Sequence, residues 1–387
     1  MEHTAPSDER DLVDVLAQAV AGDRKVAVSG GQSHTGFGRP FADDIALATT
    51  SMSGVIDYDP EELLLCARAG TPLIEIEALL RDNNQRLGFE PFDRAPLYGR
   101  PAGSATLGGA IASGSVASAG FARGGPRDHL LGFRAVSGRA EAFSAGGRVT
   151  KNVTGYDLPK LACGSWGRIF VLTELYLRVY PVPDYEATFI LTGLQPAEAL
   201  RAMSLGLRSA AGVEAAAHRP SNALAAVTVT AFRLSGASQA VTDAKAMVLQ
   251  RAIGSGQLLD RIDGDDASDF WQGINFAERM DGDLPLWRAA IPANSCVALL
   301  SSLGLLSSGD WILDWGGGQI WFASDMRHEK IRAITAEHGG HAMLMRAPAK
   351  QRKLCPPFHP QPAGLAALEQ RVLRAFDPAA IFDTGRF

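Results

Sequence analysis

The chain has 387 residues, 46% of them hydrophobic and 20% charged, with a net charge of −5; at roughly 100–200 residues per domain, two domains are expected. The acidic balance lacks the basic face that nucleic acid demands, so no nucleic-acid partner is expected. The opening MEHTAPSDERD has no basic or apolar leader region, and no stretch reaches the roughly 18 unbroken apolar residues of a membrane span, CVALLSSLGLL at 296–306 being the nearest.

In chain order, residues 8–21 read as an amphipathic helix with Leu12, Val15, Leu16 and Ala19 on one stripe. KVAVSGG then carries a short strand into a glycine turn, and IALAT (45–49), GVIDYD (54–59) and LLLCARAG (63–70) read as further strands. Thr71 is placed to cap a helix that opens at Pro72 and buries Leu73, Ile76, Leu79 and Leu80. From 99 to 125 nearly every residue is glycine, alanine, serine or small and apolar, and Ile111, Val116 and Phe121 within it argue for buried backbone. IFVLTELYLRVYPVP (169–183) is a long strand closed by prolines and marks a domain boundary. Beyond it, ATFILTGL and AVTVTAF read as strands, PAEALRAMSLGLRSA and SQAVTDAKAMVLQRAI as helices, and WILDWGGGQIWFAS (311–324) as a hairpin turned by its glycines. Trp311, Trp315 and Trp321 fit a core or a subunit interface better than a ligand box. The tail forms a helix ended near Asp377-Pro378, with a short extended finish.

Four cysteines are scattered without a CxxC pair, and His328, His338, His341 and His359 are dispersed, so reduced thiols and no metal site are expected. Three glycine-containing stretches carry the chemistry. In VAVSGGQSHTGFG (26–38), Ser29, Gly30, Gly31, Gln32 and Ser33 follow a strand and offer consecutive backbone N–H groups, the material of a phosphate cradle or of an ordinary loop. No Gly-Lys-Ser/Thr follows, and Pro40 denies the helix of a GxGxxG turn. In the second stretch, Thr106, Gly108, Gly109, Ser113 and Gly114 present small side chains and open backbone, with Arg123 and Arg127 nearby to balance phosphate charge or to pair with acids. The third, KNVTGYDLPKLACGSWG (151–167), mixes Asn152, Gly155, Tyr156, Asp157, Gly164, Ser165 and Gly167 ahead of Ile169, as a strand–turn–strand or as one wall of a flat polar ligand. Asp157 and Lys160 are spaced to pair with each other. Arg346 is suited either to clamp a substrate carboxylate or to make a structural ion pair.

The order of these parts resembles the FAD-linked oxidases of the vanillyl-alcohol-oxidase type. More narrowly, the resemblance is to the smaller FAD-binding subunits of bacterial three-subunit glycolate oxidases, nearly end to end and including LPLWRAAIP, WILDWGGGQIW and GGHAMLMR. It implies an α+β fold: a two-subdomain PCMH-type FAD-binding domain over 1–183, an α+β cap over 184–350, and a C-terminal helix and tail over 351–387 returning to the first domain. It places the pyrophosphate loop at Ser29–Ser33, a second flavin loop at Thr106–Ser115, and ring-side contacts at Asn152–Asp157 and Gly164–Ile169, with Tyr156 and Arg346 as catalytic candidates. The position of the family's tethering histidine is Gln32, with His34 two residues on, which implies non-covalent FAD; the usual terminal Asn-Pro-Gly appears as Asp383-Thr384-Gly385 before Arg386. The implied partners are a catalytic flavoprotein subunit, an iron–sulfur subunit and a small 2-hydroxy acid. The implied location is cytoplasmic, with peripheral membrane attachment only through those partners. The alternatives are a stand-alone sugar or alditol oxidase and a non-catalytic scaffold that has lost FAD.

Overall fold

The computed structural model describes residues 2–41, 43–147, 156–220, 227–254, 256–277, 280 and 282–387. Three sheets organise the chain. The first is parallel, with β1 (Glu2–Thr4), β2 (Val26–Ser29) and β3 (Ile45–Ala48) in the order β1-β3-β2. The second contains β4 (Val55–Asp59), β5 (Leu64–Arg68), β6 (Gln85–Leu87), β7 (Leu130–Ser137), β8 (Ala142–Gly146) and β9 (Phe170–Pro181); it runs antiparallel in the order β4-β5-β9-β7-β8, with β6 also on β9. The long apolar run that closes the first half is thus the central strand of its sheet. The third sheet joins β10 (Tyr185–Thr192), β11 (Ala215–Arg219), β12 (Val229–Gly236), β13 (Asp260–Ile262), β14 (Leu286–Ala290), β15 (Trp311–Asp314), β16 (Gln319–Ala323) and β17 (His341–Arg346) in one antiparallel surface ordered β13-β10-β12-β11-β15-β16-β14-β17.

Local chemistry accounts for most boundaries. Helix α1 (Glu9–Ala21) starts where the Asp8 carboxylate accepts from the N–H groups of Arg10 and Asp11, and it buries Leu12, Leu16 and Ala19. Helix α2 (Leu73–Asp82) is not capped by Thr71. The Thr71 hydroxyl instead accepts from Gly54 N–H at 2.9 Å and donates to the Arg68 carbonyl at 2.7 Å. Pro72 has no N–H to offer, and the first free helix donor, Leu73 N–H, goes to the Ala105 carbonyl at 2.9 Å. The hairpin β15–β16 turns through Gly316 (φ 63°) and Gly317 (φ 95°), as the sequence predicts. Trp311 and Trp321 are buried in the third sheet, while Phe121, expected inside, is exposed.

The C-terminal tail is stitched into the first sheet. After the helix Ala363–Phe376, the Asp377 carboxylate accepts from Ile381 and Phe382 N–H, and the Ile381 carbonyl accepts from Val26 N–H at 2.8 Å. Ile381 and Phe382 then pack with Leu12, Leu16, Val26 and Leu47.

The third sheet has helices on one face and presents the other to the first half of the chain, where Leu286, Ile312, Trp321 and Met345 pack with Phe37 and Leu97. Polar contacts reinforce this seam. Arg233 on β12, 4% exposed, donates to Glu90 at 2.8 Å and stacks 4.5 Å from the Trp271 ring, and Ala119 N–H donates to the other Glu90 oxygen at 2.8 Å. Burial opposes the Glu90 charge, but Arg233 and this N–H outweigh it and hold the carboxyl below its ordinary range. Arg123 pairs with Glu214, just ahead of β11, and with Glu186 on β10, so it serves the seam rather than a phosphate. Ser118 donates to Asp314 at 3.0 Å, and the Trp315 indole donates to the Ala117 carbonyl at 3.2 Å.

Two outcomes follow for the seam. Glu90→Ala takes the nearer carboxylate from the buried Arg233 and leaves Glu186 at 3.7 Å, so the urea midpoint should fall; an unchanged midpoint would show that the pair holds nothing together. Burial raises Asp314 from an ordinary value near 3.8 to about 7. The folded state therefore holds this proton more tightly than the unfolded one, so its contribution favours folding at low pH and is lost as pH rises from about 4 to 7. Asp314→Asn should flatten that part of the stability–pH curve.

Candidate functional site

A cleft opens between the first and second sheets. Its walls include Ser29, Gly30, Gly31, Gln32 and Ser33 from the turn after β2; Thr106, Gly108, Gly109 and Ser113 from the second loop; and Trp166 and Gly167 from the third. Thr49, Ala69, Ala112, Phe170 and Leu172 line its floor, and the C-terminal Arg386 and Phe387 reach into it. Three stretches separated by up to 138 positions, from Ser29 to Gly167, thus converge on one space.

The first two loops meet at backbone distance. A Cβ on Gly31 would fall on the Ser104 carbonyl, one on Gly30 on the Thr106 hydroxyl, and one on Gly108 against Ala69. These glycines are therefore required by chain-on-chain packing as much as by any ligand. The Asp93 carboxylate sets the turn opposite: one oxygen accepts from Ala95 N–H at 2.9 Å, the other from Gly103, Ser104 and Ala105 N–H at 2.8, 3.0 and 3.2 Å.

Helix α3 (Leu107–Ser113) follows, capped by the Thr106 hydroxyl, which accepts from Gly109 N–H at 3.2 Å. Leu107 and Gly108 N–H go to the carbonyls of Thr71 and Ala69 at 2.9 and 2.8 Å. The start of α3 therefore spends its donors inside the protein and offers the cleft a smooth wall. Among the described residues no chain acceptor meets Gly31, Gln32 or Ser33 N–H, which leaves these donors for a phosphate. Gln32 holds a left-handed φ of 59°, an uncommon state for a side-chain-bearing residue. Arg100 braces it by donating to the Gln32 carbonyl at 3.3 Å.

Other features escaped the sequence reading. Trp166, also left-handed at φ 55°, donates its N–H to the Ala112 carbonyl at 2.8 Å and stacks on Phe37 with ring centroids 4.3 Å apart. Its tight Gly-Ser-Trp-Gly setting was the available signal. His34 lies edge-on to Trp166 at 5.4 Å; its Nδ1 is 3.0 Å from the Ser33 hydroxyl and its buried Nε2 has no partner. Burial, then the charges of Arg94 and Arg386, hold the His34 pKa well below its ordinary value, so the ring stays neutral at pH 7. Arg386 donates to the carbonyls of Phe37 at 3.0 Å and His34 at 2.6 Å. The altered terminal sequence thus still clasps the first loop, and does so with its arginine.

Several expected site residues lie elsewhere. Tyr156, ahead of the helix Leu158–Ala162, is 91% exposed and does not line the cleft. Asp157 pairs with Lys160 at 2.5 Å on the surface. Gly114 ends α3 at φ 62°, Ser165 and Ile169 are buried behind the wall, and none of the three lines the cleft. Arg346 sits half-buried at the end of β17, in register with Leu286 on the cap sheet, outside the lining. Asn152 and Gly155 lie outside the described residues. Among the described residues no cluster of His, Cys, Asp or Glu is arranged to hold a metal, and no helix is long and apolar enough to cross a membrane.

Residues 4–146 match the FAD-binding domain family. The fold is also similar to that of alkyldihydroxyacetonephosphate synthase, with a TM-score of 0.70 over 98% of this chain and 75% of that one at 14% identity. The architecture is therefore a PCMH-type FAD-binding domain with an α+β cap, and the protein is an FAD-linked oxidoreductase. Its cofactor, FAD, fits the donors of residues 31–33, the unpartnered His34 Nε2 and the smooth wall of α3. The chain belongs to the family of the glycolate oxidase subunit GlcE of Escherichia coli, with 31% identity over 97% of this chain and 96% of that protein. It also resembles the glycolate oxidase subunit GlcD of Bacillus subtilis (26% identity over 39% of this chain and 30% of that one) and a D-lactate dehydrogenase of Archaeoglobus fulgidus (27% over 46% and 38%).

Gly31→Ala should abolish FAD retention by forcing the two loops apart, whereas Gly125→Ala, with open space around it, should leave the flavin content unchanged. The ratio of 450 to 280 nm absorbance reads both. Asp93→Ala removes four acceptor contacts and should destabilise the fold by about 2 kcal/mol or more while lowering FAD occupancy.

Proposed function

We propose that this chain is the FAD-binding subunit of a heteromeric complex that oxidises glycolate or a closely related 2-hydroxy acid. In this reading it holds FAD without a covalent bond and passes electrons towards an iron–sulfur subunit. The observation that carries it is the near end-to-end relationship to a glycolate oxidase subunit, cap included. FAD supplies the hydride acceptor for oxidation of the alcohol carbon. The chain's own residues do the rest. Gly31, Gln32 and Ser33 N–H groups receive the pyrophosphate, α3 flanks the cofactor, and Trp166 and Phe387 shield it from water. A neutral His34 faces the cofactor without adding charge.

Non-covalent binding rests on Gln32, whose amide is a poor nucleophile, at the usual tethering position. Acid precipitation of the yellow protein should leave a colourless pellet and free FAD in solution. A yellow pellet would instead make the unpartnered His34 the tether. Co-expression with the other subunits should give a complex in which glycolate reduces iron–sulfur centres, followed by their EPR signal; loss of FAD from this chain should abolish that signal. A chain that purifies alone and turns glycolate over to peroxide would overturn the heteromeric reading.

A further inference from the structure

Residues 338–368 contain no aspartate or glutamate, yet they carry Arg346, Lys350, Arg352 and Lys353 in a chain whose net charge is −5. Three of these cations fall on the short helix Ala349–Leu354, which follows β17 and buries none of its side chains. Lys350, Lys353 and Leu354 stand at i, i+3 and i+4, so they share one face. All three are exposed, Leu354 at 73%. Arg352 lies off that face and anchors the helix: it donates to the Ala347 carbonyl at 3.1 Å and, across the fold, to the Gly38 carbonyl at 2.9 Å.

The surroundings add positive charge and lead to the cleft. Arg39 follows Gly38, and its N–H donates to the Arg386 carbonyl at 2.9 Å, beside the cleft-lining Phe387. On the other side, the buried Arg332 of the helix His328–Glu337 donates to the Pro356 carbonyl. Glu329, on that same helix, lies 3.4 Å from both Arg327 and the His328 ring. Among the described residues, Arg39, Arg332, Lys350, Arg352 and Lys353 make no ion pair. The segment after the helix takes up the outer edge of β17, since Leu344 N–H donates to the Pro357 carbonyl at 2.9 Å and Ala342 N–H to His359 Nδ1 at 3.2 Å. Recognition at this end of the cap sheet therefore falls to side chains rather than to strand pairing.

We propose that the face of Lys350, Lys353 and Leu354 is the docking surface for the acidic face of a partner subunit. The inference rests on the heteromeric reading and adds to it the place and the chemistry of the contact. Carboxylates of the partner complement the unpaired lysines, and Leu354 is the apolar anchor that such a polar rim surrounds. A lipid surface is the poorer fit, because a helix of 6 residues with one exposed leucine has too little apolar area to lie in a membrane interface. Through Arg39, Arg386 and Phe387 the surface adjoins the cleft, so a partner seated there sits beside the cofactor space.

The test co-expresses the tagged chain with the flavoprotein and iron–sulfur subunits of that reading and measures their recovery, together with FAD content and the urea midpoint. Lys350→Glu/Lys353→Glu should lower recovery at least about tenfold, and raising salt from about 50 to 200 mM should weaken wild-type recovery in the same direction. Leu354→Ala should lower it several-fold, while Lys350→Arg/Lys353→Arg keeps it. FAD content and midpoint should stay at wild-type values throughout, because none of the three side chains is buried. Arg201→Glu, an exposed charge reversal on the helix Pro196–Leu207, should leave recovery unchanged. Undiminished recovery by the Lys350→Glu/Lys353→Glu and Leu354→Ala forms overturns the proposal and leaves the heteromeric reading standing; no recovery by wild type overturns both. Two other results overturn the proposal at undiminished recovery. Loss of binding to phosphatidylglycerol vesicles in the Lys350→Glu/Lys353→Glu form would give the surface to a membrane, and loss of a wild-type dimer in sedimentation would give it to a second copy of the chain.

Discussion

The cleft depends on two stretches of backbone touching where side chains normally keep them apart. Residues 30–31 press on residues 104–106 so closely that a single Cβ on Gly31 would occupy the Ser104 carbonyl. Asp93 makes that approach possible from behind, since one carboxylate gathers the N–H groups of residues 103–105 into a tight turn. From this contact the rest follows. The Ala105 carbonyl starts α2, Thr106 caps α3, and the donors left over at residues 31–33 face the one open side.

Charge is handled in opposite ways on the two sides of the seam. Around Glu90, Arg233, Arg123 and Glu214, every buried cation has an acid and every acid a donor, so this side behaves as a lock between cap and flavin domain. Around Arg94 and Tyr98, among the described residues, a buried guanidinium and a buried hydroxyl keep donors without a hydrogen-bond partner.

The family and fold were legible because they rest on local signals repeated along the whole chain. Strand and helix positions came from apolar periodicity, the β15–β16 turn from its glycines, and the cleft-lining loop from Ser29-Gly30-Gly31-Gln32-Ser33 after a strand. Legibility ended where a residue's role depends on what lies across from it. Tyr156 looked like a cofactor contact by its company in sequence, yet it is 91% exposed. Arg123 looked like a phosphate partner and is taken by Glu214.

By itself, then, the sequence determined the elements, the α+β class, the glycine loops and the relationship to a flavoprotein subunit, since hydrophobic period and glycine placement act over a few residues. Only the tertiary structure decided which of those glycines serve packing and which donors stay free. It also decided that Trp166, His34 and Arg386 line the cleft. Burial and pairing of charge are properties of surfaces brought together by folding, and no local pattern records them.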